Sequence, residues 1–297
     1  MKRRWILNLI MLAVVAGLVS FLYLRPVAEL EEVKKYEVSQ LKLAGIKSIK
    51  VNFPAKAPTI FEKINDYWYM TAPYKQRGDQ ISVQRILSVV AARSENKFPA
   101  TDLAKYGLDN PLVRLNITNE TGEEQFLYGT YNTVTDEQYV SYKDGVYLLS
   151  AGYSEAASTQ PIEMVDKNIL APSEVKQVAG FDFSHLEQWE ETSLNVDIND
   201  GEWKVSIPEA TPTQNDLNEW LEFSWKQNPA KSVNTYTPDR NASHPSFKLK
   251  LSNGKTIQFD KMMESPELLL ARPDEGLVYH FSNDVGFTML NPPLNMK

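Results

Sequence analysis

One stretch of this chain is written twice, and the duplication limits what the chain can fold into. Trp68-Tyr69-Met70-Thr71-Ala72-Pro73 is answered later by Trp203-Lys204-Val205-Ser206-Ile207-Pro208. Each copy reads as a strand running into a proline stop, because proline cannot donate to a sheet ladder. The landmarks continue downstream. Pro111 precedes Val113, Leu115 and Ile117 at the offsets by which Pro245 precedes Phe247, Leu249 and Leu251. The Trp68-to-Pro111 and Trp203-to-Pro245 distances differ by one residue. Self-similarity of this kind marks a repeated structural unit. The chain beyond its first 45 residues therefore reads as two tandem units, 46–172 and 173–297.

The content of one unit follows from periodicity. In the first, alternation over Ile46–Phe53 predicts a strand, and Ile60–Ile64 and Tyr67–Thr71 flank an Asn65-Asp66 turn as a hairpin. Ile81, Val83, Ile86, Leu87 and Val90 recur at helical spacing, which predicts a helix near 80–92 opened by Asp79 or Ser82. Alternating strands then return around Thr121-Gly122 and Lys143-Asp144-Gly145, and Tyr153–Leu170 contains helix. The second unit repeats the hairpin around Asn199-Asp200-Gly201. Its helix carries Leu217, Trp220, Leu221 and Trp225, with Asn215-Asp216 as the cap. The fold class is α+β: two antiparallel sheets, each with a helix on one face. Trp68, Trp203, Pro111 and Pro245 are its structural core landmarks, the two tryptophans filling the sheet–helix interfaces.

Ahead of the units, Trp5–Leu24 is almost wholly apolar and follows Lys2-Arg3-Arg4. Twenty helical residues span roughly 30 Å, the thickness of a bilayer core. Charges of this kind stay cytoplasmic, so residues 1–4 form a cytoplasmic tail, 5–24 a single transmembrane helix and 25–45 a juxtamembrane stalk, with the body outside. The run is longer than a signal-peptide core and lacks a small-residue cleavage site after it, which favours an uncleaved anchor. Ala13 and Gly17, and Ala16 and Ser20, are spaced to let a partner helix approach closely in the membrane. The expected location is the inner membrane, single-pass, with a periplasmic body.

Charge and composition narrow the partners. The formal net charge is −7, and the four cations Lys2, Arg3, Arg4 and Arg25 leave −11 for the remainder. Such a body has no electrostatic footprint for nucleic acid. The absence of cysteine excludes disulfides, thiolate catalysis and thiolate metal sites.

The first unit also carries Tyr106-Gly107-Leu108-Asp109-Asn110-Pro111, then a strand, Gly129, Tyr139-Val140 and a Val146-Tyr147 strand. With the N-terminal apolar run and the Trp-strand ending in proline, this resembles the bacterial envelope family catalogued as domain of unknown function 4340. The resemblance covers roughly residues 45–170. The second unit reads Tyr236-Thr237-Pro238-Asp239 and His244-Pro245 where the signature would stand, and Asp260 where the first has Gly129. The resemblance implies an accessory role beside ABC-type transporters of the gliding-motility kind, and brings no catalytic residues with it.

No catalytic motif stands out. His185, His244 and His280 are scattered, and the adjacent carboxylates Glu31-Glu32, Glu123-Glu124, Asp136-Glu137 and Glu190-Glu191 point to opposite faces of any strand. No cofactor or metal is expected. The remaining chemistry is aromatic: Tyr128, Tyr131, Tyr139 and Tyr142 gather in the first unit and form the candidate partner-binding face. Ordinary sheet packing is the competing account of the same residues. Three functional readings result. The first is a non-enzymatic membrane-anchored scaffold or accessory subunit whose partners are integral membrane proteins, ABC-type transporter subunits among them. The second is an envelope glycan- or peptidoglycan-binding module, and the third a hydrolase with an unmarked carboxylate site.

Overall fold

A computed structural model describes residues 2–24, 35–238 and 243–296. The first described element is a long helix, α1 (Lys2–Leu24). The first unit then runs β1 (Tyr36–Glu37), β2 (Ile46–Asn52), β3 (Thr59–Ile64), β4 (Tyr67–Ala72), β5 (Gln76–Arg77), α2 (Gln80–Leu87), β6 (Arg93–Ser94), β7 (Lys97–Pro99), β8 (Val113–Asn119), β9 (Gly122–Asn132), β10 (Glu137–Tyr142), β11 (Gly145–Ser150) and α3 (Gly152–Ser158). A short α4 (Pro172–Val175) leads into β12 (Val178–Asp182), β13 (Asn195–Asn199), β14 (Glu202–Val205), α5 (Gln214–Trp220), β15 (Ser232–Thr235), β16 (Ser246–Leu251), β17 (Thr256–Met263), β18 (Glu267–Arg272), β19 (Leu277–Ser282) and α6 (Asn283–Leu290).

The duplication is visible in the strand order. One sheet reads β5-β4-β3-β2-β8-β9-β10-β11-β7 and the other β14-β13-β12-β16-β17-β18-β19-β15. Remove β5 and the two lists correspond strand for strand. All the pairings are antiparallel, so this is a mixed α+β protein with few helices. Alternate residues face inward: Val113, Leu115 and Ile117 are buried on β8, and Phe247, Leu249 and Leu251 on β16. The main core runs without a break from one unit into the other.

Both tryptophans occupy one structural role. Trp68 and Trp203 are buried, and each lies on its unit's outer hairpin strand. The backbone N–H of Trp68 donates to Gln80 Oε1 at 3.0 Å and its carbonyl accepts from Gln80 Nε2 at 3.1 Å. Trp203 and Gln214 repeat this at 2.7 and 2.9 Å. A glutamine at the start of each helix thus stands in for a neighbouring strand. Asp79 caps α2, accepting from the N–H groups of Ile81 and Ser82. The cap of α5 is Thr213, in a capping box with Asp216, rather than the Asn215-Asp216 expected from the sequence. Pro111 is buried, but Pro245 is only half-buried, so it marks the repeat without belonging to the core.

The family-like signature has a packing cause. Tyr106-Gly107-Leu108 passes over the outer face of β9, and Gly107 holds a left-handed φ of 66°. A Cβ on Gly129 would stand 2.2 Å from the Tyr106 carbonyl oxygen. The strap shields a second small cluster of Tyr106, Leu108 and Val146, flanked by Phe98, Leu127 and Tyr139. The second unit has another device. The indole N–H groups of Trp220, Trp225 and Trp189 donate to the carbonyls of Thr288, Met289 and Leu290 at 2.7, 3.2 and 2.9 Å. These are the last three carbonyls of α6, which lack partners within the helix.

Two expectations change here. Residues 25–34 of the stalk lie outside the described residues, and the rest of it is part of the first unit. β1 pairs with β6, and Val38 is buried and donates its N–H to the Ala92 carbonyl at 3.1 Å. The span expected at 5–24 falls within α1, yet among the described residues no helix is long and apolar enough to cross a membrane. A Cβ built on Gly17 would meet nothing within 4 Å, and Ala13, Ala16 and Ser20 are likewise exposed.

Replacing Trp203 by Ala should destabilise the fold by about 3–5 kcal/mol, as truncation of a buried tryptophan does. Gly129→Ala should cost about 1–3 kcal/mol through the clash with the strap. Urea unfolding of the two variants checks both; values near zero would place the residues outside the packing described.

Candidate functional site

The tyrosine face does not assemble. Tyr128 is wholly buried, and burial pushes its hydroxyl pKa above the ordinary range. Tyr142 is buried too, its ring stacked on Phe126 at 4.5 Å and its hydroxyl donating to Glu124 at 3.2 Å. Tyr142, expected on the partner-binding face, lies in the core instead. Tyr139 is half-buried under the strap, 4.8 Å from the Tyr106 ring. Tyr131 alone of the four is exposed, and it donates to Asp136 in the neighbouring turn. The cause is strand alternation: Tyr128 and Tyr142 fall on the inward face of their strands, Tyr139 on the outward one. Among the described residues no group of three or more acidic or histidine side chains is placed to hold a metal ion.

The polar chemistry of the body gathers instead where the two units meet. The segment after α3 threads between them. Asp166 N–H donates to the Arg77 carbonyl, and the Lys167 carbonyl accepts from Ala230 of the second unit, each at 2.8 Å. Around this segment two arginines are buried. Arg77, on β5, reaches Asp166 at 2.6 Å, the Asn168 carbonyl at 2.8 Å, the Leu170 carbonyl at 3.2 Å, and Glu275 and the Tyr279 hydroxyl in the second unit at 3.3 and 3.2 Å. Arg272, on β18, bonds both oxygens of Glu174 at 2.9 Å, Asp274 at 2.7 Å and the Ile169 carbonyl at 2.7 Å. Tyr67 and Tyr279 complete the shell, donating to Asp166 at 2.8 Å and Glu275 at 2.6 Å. Gln76 Nε2 donates to the Glu275 carbonyl at 2.6 Å.

Every guanidinium here has carboxylate partners, which is what burial of a cation requires. Burial alone would push the Arg77 pKa down, but Glu275, Tyr279 and Asp166 together raise it above its ordinary value. For Arg272 the same opposition is won by Glu174 and Asp274. Burial, with Asp166 beside Tyr67 and Glu275 beside Tyr279, raises both phenols well past their usual range, so they are donors and not bases. The cluster holds two cations against four carboxylates, the most exposed being Asp274. Beside it runs a groove of about 430 Å³ lined by Ile64, Tyr69, Thr71, Lys75 and Asp274. The chemistry of this cluster is that of a joint: Arg77 ties the first unit to the connector and to Glu275 and Tyr279 of the second, and Arg272 ties the second unit to the connector through Glu174 and the Ile169 carbonyl. Sequence reading missed it because its members lie far apart in the chain and none belongs to a motif.

Arg272→Met should cost about 3–5 kcal/mol in urea unfolding, because it leaves Glu174 and Asp274 without their buried cation. Lys47→Ala, which breaks an exposed 3.7 Å pair with Glu120, should cost no more than about 1 kcal/mol. Equal losses in the two variants would contradict the assignment of the joint.

Searches of curated proteins and of solved structures return no match. A family model does match, over residues 68–259, more than half of the chain. The sequence resemblance had centred on the first unit; the match starts at the first repeated tryptophan, crosses the joint and ends on β17 of the second unit. The chain belongs to the family described as domain of unknown function (DUF4340).

Proposed function

We propose that this is a non-enzymatic, membrane-anchored envelope protein acting as a scaffold or accessory subunit of a membrane complex. The observation that carries the reading is the surface of α1. Leu9, Ile10, Met11 and Leu12 are consecutive and each more than half exposed, and so are Val14, Val15, Leu18, Val19 and Phe21. Consecutive residues point to all sides of a helix, so this one is apolar all round, with these side chains more than half exposed. A helix of that kind needs a non-aqueous surrounding, and Lys2-Arg3-Arg4 ahead of it set the orientation with the N-terminus cytoplasmic and the body beyond the membrane. Integral membrane proteins are the partners such an arrangement serves, ABC-type transporter subunits first among them, as the family resemblance implies. In the bilayer, Ala13, Gly17, Ala16 and Ser20 supply the small-residue surface for a partner helix. A rigid body with its buried charges committed to a joint suits a scaffold. The glycan-binding alternative rested on a tyrosine face, of which Tyr131 alone is exposed.

The chain should remain with membranes through an alkaline carbonate wash, and a reporter fused after Lys297 should be active only outside the cytoplasm. Release by the wash, a cytoplasmic readout, or a mature protein beginning after Tyr23 would defeat the proposal.

A further inference from the structure

The two units differ at one sheet edge. In the first, β4 is not the last strand: β5 pairs with it, Tyr69 with Arg77 and Met70 with Gln76. In the second, β14 is the last strand, and among the described residues only β13 pairs with it. The edges are otherwise closed alike, by Gln80 on Trp68 and Gln214 on Trp203. Backbone groups alternate between the two sides of a strand. The edge toward which Trp203 turns its N–H and carbonyl therefore also receives those of Val205, as the edge by Trp68 receives those of Met70. Gln76 answers Met70. Among the described residues no strand answers Val205.

The sequence explains the difference. In the first unit the connector from β4 to α2 returns along the edge, and Gly78 donates its N–H to the Trp68 carbonyl at 2.9 Å. The second connector is one residue shorter from Trp to Gln, 11 against 12. It enters α5 through Pro212, which has no N–H to give. Thr211 turns away altogether, its N–H to the Leu294 carbonyl at 2.9 Å and its hydroxyl to the Asn295 carbonyl at 3.1 Å. The C-terminal tail takes the connector, and the edge is left open.

We propose that the β14 edge is the docking position for an extended segment of a partner protein, added antiparallel to β14 as β5 is added to β4. Main-chain pairing at Val205 supplies the contact, and alternate side chains supply selectivity. Lys204 is exposed and opposite Asp197 on its inner side, where Lys250 already occupies that carboxylate at 2.8 Å. The incoming segment meets Lys204 from the other side, which favours an acidic residue at that position. This inference deepens the scaffold reading and rests on its premise that the body binds protein.

The chain has no native cysteine, so a single photo-crosslinker can be placed on the full-length protein in its own membranes. Glu202→Cys carries it at the β14 edge, and Thr256→Cys serves as the control position on the same unit. The proposal expects a crosslink from 202 and not from 256, to a polypeptide other than this chain, reduced at least tenfold by adding Val205→Pro. Proline is tolerated where an edge N–H has no partner, so the melting temperature should hold. Amide exchange at Val205 of the wild-type chain gives a second reading that needs no variant: fast in the purified chain, slowed in the co-purified complex. Crosslinking that survives Val205→Pro, equal labelling at 202 and 256, or a Val205 amide unaffected by the complex would overturn the edge proposal and leave the scaffold reading standing. A crosslink to a second copy of the chain would replace the partner with self-pairing. Absence of any co-purifying protein would overturn both. If Val205→Pro unfolds the chain, the exchange measurement alone decides.

Discussion

Two buried guanidinium groups hold this protein together as one body. Arg77 comes from the first unit and Arg272 from the second, and the connector between the units supplies Asp166, Glu174 and the carbonyls of Asn168, Ile169 and Leu170. A buried cation stripped of its carboxylates is strongly destabilising, so the arrangement is close to all-or-none. It also has direction. Guanidinium forks accept few geometries, and a two-sided grip such as that of Arg272 on Glu174 fixes the angle of approach as well as the distance. The continuous apolar core provides the larger share of favourable burial. The ionic joint selects, among the ways two sheet-and-helix units can pack, the one in which the β18–β19 turn meets β5.

Once the joint is in place, the differences between the copies acquire meaning. Both units keep one strand order and one glutamine edge cap, so what the duplication preserved is topology. What changed lies outside the shared sheet. The first unit added a strap over its outer face, made possible by Gly107 and Gly129, and placed β5 at its edge to carry Arg77 into the joint. The second replaced the glycine with Asp260, which accepts from Tyr236 at 3.3 Å, and tied its last helix down with three indoles. One copy thus became the joining copy and the other kept a bare edge.

Much of the scaffold was legible in the residues alone. The Trp-to-Pro spacings revealed the repeat, and period-two alternation placed the inward residues of β8 and β16 correctly, since alternation reports burial directly. Helix starts fell within a residue or two, as caps compete over such distances: Thr213 displaced Asn215-Asp216 because its hydroxyl and the Asp216 carboxylate satisfy each other's backbone N–H groups. The end of α2 did not: the helix stops at Leu87, short of the expected 92. The candidate site was not legible. A cluster of tyrosines in sequence says little about a surface, because successive positions on neighbouring strands can face inward or outward, and Tyr128 and Tyr142 face inward. The joint left no sequence signal because Arg77 and Arg272, or Tyr67 and Asp166, have no periodic or motif relation. They are brought together only by the packing of two units around a connector.

The central claim is that the repeat units form one rigid body locked by that joint. Spin labels on Lys50→Cys in β2 and Lys255→Cys in the β16–β17 turn, exposed positions of the two units in a chain with no other cysteine, measure it directly in the full-length protein. Pulsed dipolar spectroscopy should return one narrow distance distribution, unchanged between low and high salt because buried ion pairs are weakly screened. A broad or two-peaked distribution in the wild-type chain would show the units moving independently and would contradict the account.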